Sequence, residues 1–318
     1  MPARWISWSR TKSKRERRRR MTTKPHRKQK ELLISLLGIA PVILLTLAFK
    51  AYPLGSVIYK SMTNWDGLFR QDFIGLKNYL RLFRSEYFWK TLVNCFIILI
   101  NVPIQIFVGL IVSMLLYEKT PGWRFFRSLY YLPQIVSSVI VGYLFAIFFS
   151  YSGPVNQILK SIGLERFAIE WLGSRTTAFG VVILALVWIN IGWQGVLILG
   201  GLSSIDPSVF DAAKIDGTNF FQRTFYVMLP MIGRVIEYSF VYSVAWTFTG
   251  VFPFIYSITN GGPGYDTTTL DFLVYQKAFR EDSALGEACA LAVLLLIIVS
   301  LLTLIQRKIS SRVNEWSD

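Results

Sequence analysis

The sequence predicts an all-α integral membrane fold of six transmembrane helices, and three observations carry that prediction. The 318 residues are 53% hydrophobic and only 17% charged, against about 25% charged in a soluble domain. The charges cluster, leaving windows free of Asp, Glu, Lys and Arg at 32–49, 91–117, 128–159, 176–205, 238–265 and 288–306. A helix crosses the hydrocarbon core in roughly 20 residues at about 1.5 Å per residue, so all six windows meet or approach the requirement. Third, a single polar stretch with helix signals of its own, 206–230, lies between two of the windows. A charge at the centre of a span costs about 2.5–3.5 kcal/mol. Core helices of a soluble protein rarely run this long without one.

The first span, 32–49, follows the basic run from Lys24 to Lys30. It is too long for a signal peptide, and Lys50-Ala51-Tyr52-Pro53 offers no cleavage site. The loop 50–90 contains a turn at Trp65-Asp66-Gly67. An amphipathic stretch follows, with Leu76, Tyr79, Leu80 and Phe83 at helical spacing, which suits an interfacial helix. The second span, 91–117, has Asn94, Asn101 and Gln105 as its polar points. The third covers about 129–149, with Pro133 near its start. Ser152-Gly153-Pro154 marks a turn in the loop 150–177. The fourth span covers about 178–202, the fifth about 234–258 and the sixth about 287–305.

The domains expected are a basic tail at 1–31, the helical domain at 32–306 with its polar loop at 203–231, and a short tail at 307–318. The net charge is +15, and 1–31 holds 13 of the 34 Lys and Arg. No folded nucleic-acid module follows this tail, so it is expected to set topology and touch anionic lipid, without binding nucleic acid. Met21 begins a shorter tail, and residues 1–20 are either an extension or a misplaced start. With the N-terminus inside, the segments 1–31, 118–128, 203–234 and 306–318 share one side and hold 22 of the 34 basic residues. The positive-inside rule therefore places the polar loop and both termini in the cytoplasm. Cys95 and Cys289 each lie in an apolar stretch, without disulfide or metal spacing. The single histidine, His26, sits in the basic tail.

Within the polar loop Asp206 can cap a first helix, and Pro207 suits its first turn. Gly217 fits the left-handed position just past the helix end. Thr218 or Asn219 can cap a second short helix that stops before Pro230. Such a hairpin suggests docking to a soluble partner. Val209, Phe210, Ala212, Ala213, Phe220, Phe221 and Phe225 supply apolar surface, and Asp211 and Asp216 are available to a partner's basic groups. A helix lying on the membrane surface is the plainer reading.

Asp211-Ala212-Ala213, Gly217 and Val227-x-Leu229-Pro230 together resemble the cytoplasmic loop motif of bacterial binding-protein-dependent ABC importer permeases. That motif begins Glu-Ala-Ala and ends Ile-x-Leu-Pro, so Asp211 and Val227 are conservative departures. Thr259-Asn260-Gly261-Gly262-Pro263-Gly264 resembles a loop of the carbohydrate-uptake permeases of the maltose-transporter large-permease type. So does Trp65-Asp66 with the run from Phe73 to Tyr79. The resemblance covers about 30–310 and implies a type I importer permease subunit. It implies as partners a second permease in a heterodimer, two ATPase subunits, an extracytoplasmic solute-binding protein and a sugar, in a bacterial cell membrane. It makes 206–230 the coupling helix, with Asp211, Ala212, Ala213, Asp216, Gly217, Leu229 and Pro230 as the residues that meet the ATPase. No Gly-x-x-x-x-Gly-Lys-Ser/Thr occurs, so no cofactor is expected in this chain, with ATP and Mg on the ATPase subunits.

Polar residues within apolar helices are candidates for solute contact. Asn190, Trp193 and Gln194 share a face of the fourth span, and Ser239, Ser243, Trp246, Thr247 and Gly250 share one of the fifth. Aromatic faces beside neutral hydrogen-bonding groups suit a sugar. By the resemblance, Asn190, Trp193, Ser243, Trp246, Thr247 and Gly250 correspond to sugar-facing positions. Hydrogen bonding between packed helices is the alternative for each of them. An ion-coupled secondary transporter of a small polar solute is the rival class, but it usually needs buried acids, and Glu237 and Glu287 lie near helix ends. A membrane enzyme would need a catalytic constellation that the sequence lacks.

Overall fold

The structure is a computed structural model, which describes residues 25–119, 121–280 and 285–314. Two compact units divide at Val57 and Ile58. The first contains α1 (Pro25–Thr46), which runs through a wide π-helical turn at Leu47–Ala51 into α2 (Tyr52–Lys60). Residues 1–24 of the basic tail lie outside the described residues, as do 315–318 of the C-terminal one. Ser35–Lys60 is long and apolar enough to cross a membrane.

In the second unit helices are joined by loops, and the one β pairing among its described residues is an isolated bridge between Thr63 and Phe73. Its helices are α3 (Lys77–Arg84), α4 (Glu86–Ile98), α5 (Asn101–Tyr117), α6 (Trp123–Ile135), α7 (Ser138–Phe148), α8 (Pro154–Ser161) and α9 (Arg175–Ser203). There follow α10 (Pro207–Ile215), α11 (Phe220–Met231), α12 (Gly233–Thr249), α13 (Leu270–Phe279) and α14 (Leu285–Asn314). Four segments suffice to span: Ser35–Lys60, Glu86–Tyr117, Arg175–Ser203 and Leu285–Ile309. Two bent pairs complete six, α6 with α7 at 101° and α11 with α12 at 77°. The fold is an all-α, multi-pass membrane fold.

The breaks correct the expected helix bounds. The third span is not one helix over 129–149: Val136 takes an extended conformation and Ser137 occupies the cap position of α7. The β-branched Ile135-Val136 pair follows Pro133, which has already removed one helical hydrogen bond. The fifth span is not one helix to about 258: it breaks after Thr249 at Gly250, and helix resumes at Phe252–Phe254 and runs on through a π-helical turn at Ile255–Thr259. The helix after Asn219 does not stop before Pro230. A π-helical turn at Arg223–Met228 widens the ladder ahead of the proline, and helix continues to Met231. In wider turns and at a fresh first turn, a missing N–H leaves no carbonyl stranded in the preceding ladder.

Three buried clusters hold the second unit together. Phe179, Val182 and Leu186 of α9 meet Val141 of α7, Phe254, Ile255 and Phe272. Leu82, Phe88, Cys95, Phe248, Leu270 and Leu291 join α3, α4, α12, α13 and α14. Leu110 and Met114 of α5 and Ile198 and Leu202 of α9 close over Phe210, Met228 and Ile232. This third cluster fixes the polar hairpin to the spans.

Candidate functional site: the polar hairpin and the polar seam

The hairpin α10–α11 is built from its caps. Asp206 accepts the Ser208 backbone N–H at 2.9 Å, and Pro207 follows at the first helical position. That hydrogen bond holds the Asp206 carboxyl below its usual range, because it favours the charged form. At the other end Gly217 has φ +75. Its N–H donates to Lys214 O at 3.0 Å, and the Thr218 N–H donates to Ala213 O at 3.2 Å. These paired bonds close the last turn in a Schellman motif, which calls for a left-handed residue at the glycine's position. Asn219, one of the two cap candidates, begins α11 in a reciprocal box with Gln222, at 2.8 and 3.0 Å.

The inner face of the hairpin differs from expectation. Phe210 is 4% exposed and Ala213 7%, and the Phe210 ring lies 4.9 Å from that of Tyr117. Phe210 belongs to the third buried cluster and Ala213 is buried beside it in the chain, so neither is part of the apolar docking surface expected of them. Val209 and Phe220 pack against the same cluster. The helix turns its small residues to opposite sides: Ala212 is exposed beside Asp211, Asp216 and Gly217, whereas Ala213 faces the bundle. Phe221, Phe225 and Pro230 are exposed and Leu229 is half-buried. The outward face therefore offers a small side chain flanked by two carboxylates.

Arg223 fastens the hairpin to the loop after α5. Its Nε donates to Glu118 Oε1 at 2.9 Å, a second guanidinium nitrogen closes on the same oxygen, and Nη1 donates to Thr218 O at 3.3 Å. Neither acidic nor basic partner was singled out from the sequence. The available signal was that Glu118 is the one acid between the second and third charge-free windows.

The second grouping runs through the spans. Gln194 Nε2 donates to Ser243 Oγ at 2.9 Å, and the Ser239 hydroxyl donates to Gln194 Oε1. Thr247 donates to Ser243 O at 2.8 Å and accepts from Asn101 Nδ2 at 3.3 Å. Gln105 Nε2 donates to Asn101 Oδ1 at 3.1 Å. This polar seam joins α5, α9 and α12. Gln194, Ser243 and Thr247 are buried within it and bonded to one another. In this conformation they hold helices together and line no open surface, which is the packing alternative for those three residues.

Asn190, Trp193, Trp246 and Gly250 are half-buried. Asn190 turns its amide back onto Leu186 O at 2.8 Å. The Trp193 ring lies 5.3 Å from that of Tyr242. Its indole nitrogen is buried without a hydrogen-bond partner among the described residues, as is Gln105 Oε1. The indole of Trp246 lies over Gly250, where an added Cβ would stand 2.6 Å from Nε1. Beside this region Leu129, Tyr130, Pro133, Trp188 and Ile191 line an open cleft of about 270 Å³ between α6 and α9. Among the described residues no group of three or more His, Cys, Asp or Glu is arranged to hold a metal ion.

Residues 83–315 match the family described as binding-protein-dependent transport system inner membrane component. Over 284 residues the chain is 33% identical to the probable ABC transporter permease protein YurN of Bacillus subtilis (strain 168), covering 87% of this chain and 95% of that one. It is 31% identical over 276 residues to the multiple sugar-binding transport system permease protein MsmF of Streptococcus mutans, covering 86% and 93%. Its fold is like that of a chain in the crystal structure of a bacterial ABC transporter involved in the import of the acidic polysaccharide alginate. The TM-score is 0.77 at 22% identity, over 90% of this chain and 96% of that one.

Proposed function

This chain belongs to the family of binding-protein-dependent transport system inner membrane components, and from that premise we propose that it is the permease subunit of an ATP-driven importer of a sugar or oligosaccharide. It is a transport subunit and not an enzyme. A second permease completes the pathway, two ATPase subunits bind ATP and Mg, and an extracytoplasmic binding protein delivers the solute. The chain sits in a bacterial cell membrane, with both termini and the hairpin α10–α11 on the cytoplasmic side.

The observation that carries this reading is the two-sided construction of the hairpin. Its inner face is locked to α5 and α9 through Phe210 and Arg223, and its outer face presents Asp211, Ala212, Asp216 and Gly217. An element fixed on one side and open on the other transmits a displacement imposed by a docked partner. A seated ATPase would engage Asp211 and Asp216 with basic groups, while Ala212 permits close approach. Leu229 and Pro230, beyond the π-helical turn, would carry the displacement into α12.

The sugar reading rests on a relative named for sugar transport, MsmF, and on the half-buried Asn190, Trp193 and Trp246. The unpaired indole N–H of Trp193 is a donor that a sugar hydroxyl would satisfy. Gln194, Ser243 and Thr247 support these residues from the seam, and Gly250 makes room for the Trp246 ring.

The test is uptake into vesicles containing the permeases and their ATPase. Uptake that needs ATP and the copurifying ATPase supports the proposal. Uptake driven by a proton gradient and indifferent to both sinks it.

A further inference from the structure

Helix α3 presents three stripes. Asn78 and Leu82 form the inward one, 1% and 2% exposed. Asn78 Nδ2 donates to Ser61 O and Thr63 O, both at 2.8 Å, and the Tyr79 hydroxyl meets Ser61 Oγ at 2.7 Å. These bonds tie α3 to the loop after α2 and turn Tyr79 away from the apolar face expected of it. Leu76, Leu80 and Phe83 form a second, outward stripe, 61%, 55% and 44% exposed. Lys77, Arg81 and Arg84 form a third beside it, also exposed. At 100° per residue the apolar stripe and the basic stripe are neighbours, and the anchored face lies behind both.

The position of α3 relative to the membrane follows from α4 and α5. The span Glu86–Tyr117 begins two residues after α3 and contains 32 residues, about 48 Å of helix. That length matches a whole bilayer with its headgroup layers, about 40–45 Å. Tyr117 meets the hairpin at one end, so α3 lies at the opposite membrane surface. Tyr87 and Trp89 in the first turn of α4 are half exposed, as aromatic residues of an interfacial belt are. The Trp89 indole donates to Phe83 O at 2.9 Å, and its ring lies 6.2 Å from that of Phe83. The outward stripe of α3 is thereby fixed at belt depth.

The geometry points to α3 as a lipid-binding foot: Leu76, Leu80 and Phe83 enter the headgroup–acyl boundary of the leaflet opposite the hairpin, and Lys77, Arg81 and Arg84 hold the phosphates of anionic phospholipid. Arg81 also reaches Glu287 at the start of α14, at 3.4 Å. It therefore links the lipid contact to a second span, and Lys77 and Arg84 are the cleaner probes. The occupant is lipid because the stripe stands at the mouth of a membrane-length segment, Glu86–Tyr117, and the polar residues of α3 beside it, Lys77, Arg81 and Arg84, are all basic. The inference does not depend on which solute is carried.

The whole importer, reconstituted in phosphatidylcholine with and without phosphatidylglycerol, provides the test. Nitroxide labels at Leu80→Cys and Phe83→Cys, with Cys289→Ala as background, should collide with oxygen in preference to a water-soluble nickel chelate. Labels at Lys77→Cys and Arg84→Cys should show the reverse preference. Lys77→Gln with Arg84→Gln should lower the preference for spin-labelled phosphatidylglycerol over phosphatidylcholine, by roughly fivefold per charge at this site. Three outcomes would overturn the assignment: labels at 80 and 83 that favour the nickel chelate, labels shielded only when binding protein is added, or lipid preference unchanged in the double variant.

Discussion

Arg223 and Glu118, 105 positions apart in the sequence, form an ion pair that is largely shut off from solvent, the side chains being 10% and 22% exposed. The pair bridges the turn of the hairpin to the end of α5, while Phe210 on Tyr117 bridges the neighbouring turn. Removing one partner of such a pair leaves a desolvated charge without compensation, which typically costs about 3 kcal/mol. Glu118→Gln and Arg223→Gln should each lower the unfolding temperature of the purified complex. Each should also reduce transport per ATP hydrolysed more than it reduces ATPase binding. The charge-reversed double variant should recover part of both losses. Equal effects in single and double variants would show that the two side chains are not coupled.

Gly217 offers a graded test of the hairpin. Its φ of +75 demands a left-handed residue, yet a Cβ there would meet nothing within 4 Å. The penalty of substitution is therefore one of backbone conformation and not of clash. Gly217→Asn should be nearly silent, since Asn tolerates this region. Gly217→Ala should cost about 1 kcal/mol. Gly217→Pro fixes φ near the wrong sign and removes the N–H that bonds Lys214 O, and should abolish coupled transport. Copurification of the ATPase and uptake, measured across the series, should fall in that order. A silent proline variant would remove the hairpin from the coupling role.

The caps of the hairpin were legible because caps are local: Asp206, Pro207, Gly217 and Asn219 each act within four residues of themselves. The spans were legible because absence of charge is a property of composition. The inward turn of Phe210 and Ala213 was not legible. Both faces of α10 carry apolar residues, and only the position of Tyr117 and Met228 decides which face is covered. The breaks at Val136 and Gly250 were missed for a related reason. An apolar window shows that a segment tolerates hydrocarbon and says little about whether its helix is straight. Gln194, Ser243 and Thr247 were found by their spacing, but spacing cannot separate a polar face toward a cavity from one toward another helix.

Trp193 separates those two roles in one experiment. Its indole nitrogen is buried and unpaired among the described residues, while its ring packs at a tilt against that of Tyr242. Trp193→Phe keeps an aromatic surface and removes the donor. If the N–H serves a sugar hydroxyl, the variant should raise the KM for uptake about tenfold, the value of one hydrogen bond of roughly 1–1.5 kcal/mol. The empty protein should be no less stable, because a buried donor without an acceptor is itself unfavourable. A loss of stability with unchanged KM would make Trp193 a packing residue.

Asp271, at the start of α13 and outside the spanning segments, predicts a pH dependence of unusual sign. Its oxygens accept the Phe252 N–H at 2.7 Å, the Phe272 N–H at 2.9 Å and the Thr269 hydroxyl. Burial nevertheless outweighs these bonds and raises the carboxyl from 3.8 to about 6. The folded protein therefore holds this proton at pH values where the unfolded chain has released it. The folded state binds more protons between about pH 4 and pH 6, so stability falls as pH rises through that window and is flat above it. The full effect is about 3 kcal/mol, at about 1.4 kcal/mol per unit. Asp271→Asn cannot ionise and should flatten this part of the profile. It also loses one of the two acceptors, so its stability at low pH should lie below that of the parent. Thermal unfolding of the purified complex, followed from about pH 4 to pH 7 for both proteins, gives the difference directly. Parallel profiles would show that the Asp271 carboxyl stays ionised throughout, held by its three donors against the penalty of burial.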